Sequence, residues 1–273
     1  MFKKSLKKCI DSGAADELKT LLKANPKLTT APISWGGVAC KTEPLHYLCD
    51  GFFNHFWEHA KEGELARIFL DAGAPVNGGP DAGESPLHGA ASLGCTDVAR
   101  ELVSSGANLE VVAKYPGIPL GTPLDFAVHF GMVGVVDLLV ACGARISSAR
   151  MEAGGGLLEE LRNRISATRP SHAEMMDAFR CAAVCDRCEV VDYFLDEGLD
   201  IHEEVNGGTA LHWAAWEAKA TMVKHLIEKG AAVDRSDSEH GATAINWARH
   251  RQQEIGTHWG HDRVIELLET VNS

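Results

Sequence analysis

Gly208-Thr209-Ala210-Leu211-His212-Trp213-Ala214-Ala215, followed downstream by Gly230-Ala231, is the stretch on which the reading of this chain turns. It recurs with variation. Ser85-Pro86-Leu87-His88-Gly89-Ala90-Ala91 runs on to Gly106-Ala107, and Thr122-Pro123-Leu124-Asp125 with Ala127-Val128 runs on to Gly143-Ala144. His88 to Gly106, Asp125 to Gly143, Arg180 to Gly198 and His212 to Gly230 are each 18 residues apart. Equal intervals carried by similar flanks mark an internal repeat.

The unit has a physical logic. Ser or Thr caps a helix, and Pro fits its first turn because the missing N–H had no partner there. The Ala pairs let a short first helix approach its neighbour closely. A second helix follows with apolar residues at helical period, as in Val135, Val136, Leu138 and Leu139 or Met222, Val223, Leu226 and Ile227. Gly106, Gly143, Gly198 and Gly230 fall where a helix ends in a left-handed residue. One such unit cannot bury its apolar face alone, so the units must stack.

These residues resemble the ankyrin-repeat family, with good matches at 84–110, 121–148 and 208–237 and partial ones at 43–77, 172–203 and 241–270. The resemblance implies an all-α solenoid of stacked helix-turn-helix units with finger loops, forming a single domain over 1–273. About seven units are expected, several of them degenerate or carrying insertions. They lie at approximately 2–30, 43–77, 84–110, 121–148, 172–203, 208–237 and 241–270, with an extra helical linker at 150–170. The resemblance also implies that His46, His88 and His212 are structural, each bonding backbone in the adjacent turn. Arg180 and Asn246 take the same position and lose that pairing. A protein-binding scaffold without catalysis or cofactor is implied more readily than an enzyme.

Composition narrows the classes further. The chain has 273 residues, 45% apolar and 23% charged, as in ordinary folded proteins. Its net charge of −12 disfavours nucleic acid and favours a partner carrying basic residues. Lys3, Lys4, Lys7 and Lys8 read as the wet side of a first helix. No apolar stretch of secretory type follows them, and no run of 18 apolar residues would span a membrane. The eight cysteines read as reduced thiols of a cytoplasmic protein, expected to be a monomer. Cys185 and Cys188 form a CxxC string, but a second such pair is lacking, so no metal is expected.

The departures from the repeat carry the functional hints. His46 to Gly73 is 27 residues, and the extra stretch holds Phe53, His55, Trp57 and His59. Asn246 to Gly260 is 14 residues, and that stretch holds His258 and Trp259. Both are candidates for a lid or recognition insertion. The first reads more simply as a lengthened first helix with its own apolar seam. In the linker, Ala153-Gly154-Gly155-Gly156 reads as flexible, and Leu157, Leu158, Leu161 and Ile165 share one helical face. That helix belongs either to a long finger or to half of a degenerate repeat. The finger at 29–42 carries Trp35-Gly36-Gly37 and the one at 111–121 carries Tyr115-Pro116-Gly117.

By carry-over from the family, residues just after the motif His and after the Ala pair face the concave side. Tyr47, Phe126, Phe130, Trp213, Trp216 and Trp247 fall there. A solvent-facing aromatic stripe of that kind is a candidate binding surface for a protein partner. The insertions could instead cover it. An alternative is a pocket for a small hydrophobic or aromatic ligand, or an enzyme site. Asp125 and His129, at i and i+4, would then be an acid–base pair, with Glu217 near it.

Overall fold

The computed structural model describes residues 2–35, 40–79, 83–115 and 118–271. Gly36, Gly37, Pro116 and Gly117 of the two fingers lie outside the described residues. The helices come in consecutive pairs: α1 (Phe2–Asp11) with α2 (Ala15–Ala24), α3 (Pro44–Phe53) with α4 (Glu62–Asp71), α5 (Pro86–Leu93) with α6 (Thr96–Ser104), and α7 (Pro123–His129) with α8 (Val133–Ala141). The series continues with α9 (Ala149–Gly155) and α10 (Leu158–Thr168), α11 (His172–Val184) and α12 (Cys188–Asp196), α13 (Ala210–Trp216) and α14 (Ala220–Glu228), and α15 (Ala244–Ile255) and α16 (His261–Val271). Strands are confined to two antiparallel finger hairpins, β1 (Ile33–Trp35) with β2 (Cys40–Thr42), and β3 (Ala113–Tyr115) with β4 (Ile118–Gly121). The all-α architecture is the one the repeat implies.

The chain divides into two compact units. The first runs to Ala127 and includes Gly134–Arg145; the second takes Val128–Val133 and everything from Ile146. Within the first, Leu45, Leu48, Leu65, Phe69, Leu87, Val98, Leu102 and Leu139 are buried between helix pairs. Within the second, Phe179, Val191, Phe194, Leu211, Met222, Leu226, Val264 and Leu268 do the same work. Second helices end at Gly73, Gly106, Gly143, Gly198 and Gly230 with φ between 83° and 95°, a backbone state that costs other residues strain.

The motif histidines join successive turns. His88 Nδ1 accepts from Ser85 N at 3.2 Å, which leaves the proton on Nε2, and Nε2 donates to Gly121 O at 3.0 Å. His212 repeats this, with Thr209 N at 3.3 Å and Ala242 O at 3.0 Å. His46 bonds the backbone of Glu84 and Ser85. Burial pushes each imidazole below its ordinary range, so all three are neutral bridges.

Three departures read from the sequence resolve differently. The 150–170 linker is a complete helix pair, not a finger. Ser148 Oγ caps α9 by accepting from Met151 N, and Ala153-Gly154 stands where Ala214-Ala215 stands in the best-matched unit. The glycine run is therefore helical, not flexible. A Cβ on Gly154 would lie 2.6 Å from Val128 Cγ1, so the missing side chain permits a close helix approach.

The 52–59 stretch is not a lengthened helix. α3 stops at Phe53, His55 turns the chain with φ 50°, and the segment folds back on its own unit. Trp57 lies over Gly51, where a Cβ would come within 1.9 Å of the indole. At the other insertion the first helix does lengthen. α15 has 12 residues and is followed by a short turn, Thr257–Trp259, of the tighter 3₁₀ type.

Candidate functional site

Each sequence-predicted residue has a definite place. Tyr47 and Phe126, expected in a solvent-facing stripe, are both 0% exposed. Tyr47 donates its hydroxyl proton to Asp11 Oδ1 at 2.8 Å, and burial ahead of its polar neighbours pushes the phenol up to about 12. Phe126 packs edge-on against His88 and Tyr115. Both are core residues of the first unit, because the positions after the motif His are covered there by the finger and the insertion.

The insertion makes an aromatic cluster in the first unit. Trp57 stacks on His59 at 5.0 Å and 9°, meets Tyr47 and Phe56 edge-on, and donates from Nε1 to Glu62 Oε1 at 2.6 Å. His59 Nε2 bonds Ile10 O at 2.8 Å. Phe56 touches Trp35 of the first finger and keeps 38% of its surface exposed. Phe53 is half-buried and His55 exposed.

In the second unit the expected tryptophans do come together. Trp213, Trp216 and Trp247 are all half-buried. The Trp247 ring meets Trp213 at 5.1 Å and Trp216 at 5.7 Å, both edge-to-face. Their polar edges are pinned. Trp213 Nε1 donates to Val205 O at 2.8 Å and Trp247 Nε1 to Asp237 Oδ2 at 2.9 Å. Burial alone would raise the Asp237 carboxyl. The N–H groups of His240, Ala242 and Glu239 and the Trp247 indole outweigh it and hold the group far below the usual carboxylate range. His258 is exposed and Trp259 half-buried beyond α15. His261 Nε2 donates to Trp216 O at 2.9 Å, another backbone bridge.

A charged strip continues from this cluster. Arg180, standing where the motif His stands elsewhere, is 2% exposed, and its guanidinium lies 5.4 Å over the Trp213 ring. Its Nη2 donates to Asp177 Oδ1 at 3.2 Å. The other oxygen, Asp177 Oδ2, lies 3.7 Å from Arg150 Nη1, and Arg150 Nη2 is 3.4 Å from His129 Nδ1. His129 meets Phe130 edge-on at 4.9 Å. At the far end Arg251 stacks over Trp216 at 5.0 Å. Phe130, His129, Arg150, Asp177, Arg180 and the tryptophans thus form one run of contacts across the first helices of successive pairs.

Electrostatics along the strip follow from burial and from the arginines. Burial first, then Arg180 and Arg150, push His129 down to about 4, so it is neutral near pH 7. Burial would lower Arg180, but Cys181 and Asp177 offset it and the guanidinium stays charged. Burial raises the carboxyl of half-buried Glu217 against the pull of Lys219, Arg251 and Arg180. Asp125, proposed as partner to His129, uses Oδ2 to accept from Thr122 N at 2.9 Å and Oγ1 at 3.0 Å. It reproduces the capping half of the motif His. Cys181 and Cys185 are buried, and burial pushes Cys185 up to about 12. Among the described residues no group of three His, Cys, Asp or Glu is placed to hold a metal.

The sequence reading missed Arg150 and Asp177. Asp177 was findable, since it stands three residues before Arg180 on one helix. Arg150 was not, because the glycine run that follows it, Ala153-Gly154-Gly155-Gly156, reads as a flexible stretch.

A family model described as three copies of ankyrin repeats matches residues 176–257, and a single ankyrin repeat model matches residues 82–114. The chain is 30% identical over 186 residues to palmitoyltransferase AKR1 of Lachancea kluyveri, covering 67% of this chain and 21% of that protein. It is 25% identical over 194 residues to ankyrin repeat and KH domain-containing protein mask-1 of Caenorhabditis elegans, covering 68% of this chain and 7% of that protein. A third likeness, 34% over 82 residues, is to E3 ubiquitin-protein ligase hecd-1 of Caenorhabditis elegans, covering 30% of this chain and 3% of that protein. The chain therefore matches only a small part of each relative. The human ASB11 ankyrin repeat domain superposes with a TM-score of 0.37 at 20% identity, over 83% of this chain and 97% of that one. No helix among the described residues is long and apolar enough to cross a membrane.

Proposed function

From the premise that this chain is an ankyrin-repeat protein, whose repeats make a protein-interaction domain, we propose that it is a non-catalytic scaffold. It binds a protein partner through the strip that runs from Phe130 to Trp216 in the second unit. The observation that carries this is the tryptophan cluster: three half-buried indoles in edge-to-face contact, with two of their N–H groups held by backbone and by Asp237. The exposed parts of the three rings lie beside one another and leave apolar surface for a partner. Fixed, half-exposed aromatics are the residues that anchor protein interfaces, since they bury large area at low entropic cost.

The neutral His129 and the engagement of Asp125 by Thr122 give the acid–base alternative no particular support. The test immobilises the full chain beside a Trp213→Ala/Trp216→Ala double variant whose helix content by circular dichroism is unchanged. Proteins from the source cells that the wild-type chain retains, and the variant loses by about tenfold or more, support the reading. Identical retention on both overturns it.

A further inference from the structure

We propose that Arg150, linked to the buried Arg180 through Asp177, forms a carboxylate-binding subsite of this surface, which takes an acidic side chain of the partner protein beside the tryptophan cluster. The proposal rests on the reading of the strip as a partner surface and names what one part of it recognises.

Arg180 is a charge placed where the repeat puts a neutral imidazole, and at 2% exposure it requires an anion. Asp177 supplies one, but that carboxylate is divided: Oδ1 serves Arg180 and Oδ2 faces Arg150. The neighbouring charges balance among themselves. Arg251 Nη1 pairs with Glu254 Oε2 at 3.1 Å, and Lys219 offsets Glu217. His129, on the other side of Arg150, is neutral and contributes no charge. Two guanidiniums against one carboxylate leave a single positive charge in a chain whose formal total is −12.

Geometry agrees with the charge balance. Arg150 Nε is buried without a hydrogen-bond partner, so the chain itself does not fill the hydrogen-bonding capacity of this guanidinium. Its side chain keeps 19% of its surface exposed and that of Asp177 29%, so an acceptor can reach the pair from solvent. Guanidinium forks match the two oxygens of a carboxylate. One surplus positive charge suits a carboxylate better than a phosphate, which brings nearly two negative charges.

The experiment selects random linear peptides displayed on phage against the full chain. Enriched peptides are expected to share a glutamate or aspartate beside an apolar residue. A synthetic copy should lose affinity by about tenfold when that acid becomes its amide, and Arg150→Gln should abolish this difference. Circular dichroism and urea unfolding confirm that the variant is folded, and Arg150→Lys, which keeps the charge but not the fork, should restore part of the difference. Enriched peptides without an acid that still depend on Trp213 and Trp216 overturn the subsite and leave the aromatic surface standing. An acid-to-amide penalty that persists in Arg150→Gln overturns it too. Failure to enrich any peptide overturns both readings.

Discussion

His212 Nε2 donates to Ala242 O at 3.0 Å while Nδ1 of the same ring accepts from Thr209 N at 3.3 Å. One neutral side chain therefore caps its own helix and bolts that helix to the following finger. His212→Ala should leave a buried N–H and a buried carbonyl unpaired and cost about 2 kcal/mol in urea unfolding. His212→Asp should recover the capping share, as Asp125 does at Thr122, but not the forward bond. A stability equal to wild type in the Ala variant would contradict this account.

Burial depresses His46, His88, His129, His212 and His261 below the ordinary imidazole value of 6.5, with His129 at about 4. The unfolded chain then binds protons more readily than the folded one between those values and 6.5. The stabilising contribution is complete above the unfolded value and is lost as pH falls through it toward the folded values. Urea midpoints should therefore drop between about pH 7.5 and about pH 5.5, before most carboxylates titrate. A midpoint that rises over that interval would contradict it.

Gly154 meets Val128 without room for a methyl group, the would-be Cβ lying 2.6 Å from Cγ1. Gly154→Val should force α9 away from Val128 and destabilise the chain by about 2 kcal/mol, read as a lowered thermal midpoint. Ala at the same position should cost less, because it is smaller and its gain in helix propensity offsets part of the clash.

Asp237 holds Trp247 and three backbone N–H groups with one carboxylate. Asp237→Ala should cost about 2 kcal/mol and shift the indole fluorescence as Trp247 loses its anchor. Because the folded carboxyl is depressed, its contribution is present above the ordinary carboxylate range and lost only as pH falls below it. Chemical denaturation at neutral pH, followed by fluorescence, reads both effects.

Much of the fold was legible because it is written in local chemistry. Ser85, Thr209, His88 and His212 act within a few residues of themselves, and the glycines after second helices announce a backbone state. The meeting of Trp213, Trp216 and Trp247 followed from their shared register. What escaped depended on long-range contact. Gly154 belongs to a run that reads as flexible in the sequence, and its close approach to Val128 is what gives it a helical place; the 52–59 stretch takes no helical form because Trp57 packs on Gly51. Tyr47 and Phe126 shared the register of the tryptophans, yet finger and insertion residues cover them. Arg150 sits two residues after its cap, where Leu87 and Leu211 stand in other units, so a charge hid at an apolar position.

The edge-to-face trio at Trp213, Trp216 and Trp247 is also an optical instrument. Indole transition dipoles held at centroid spacings of 5.1 and 5.7 Å couple to one another. Their ultraviolet circular dichroism thereby depends on mutual angle as well as on each ring's surroundings. Anything that wedges between these rings or tightens them alters that spectrum, so occupancy can be followed by light on an unlabelled chain.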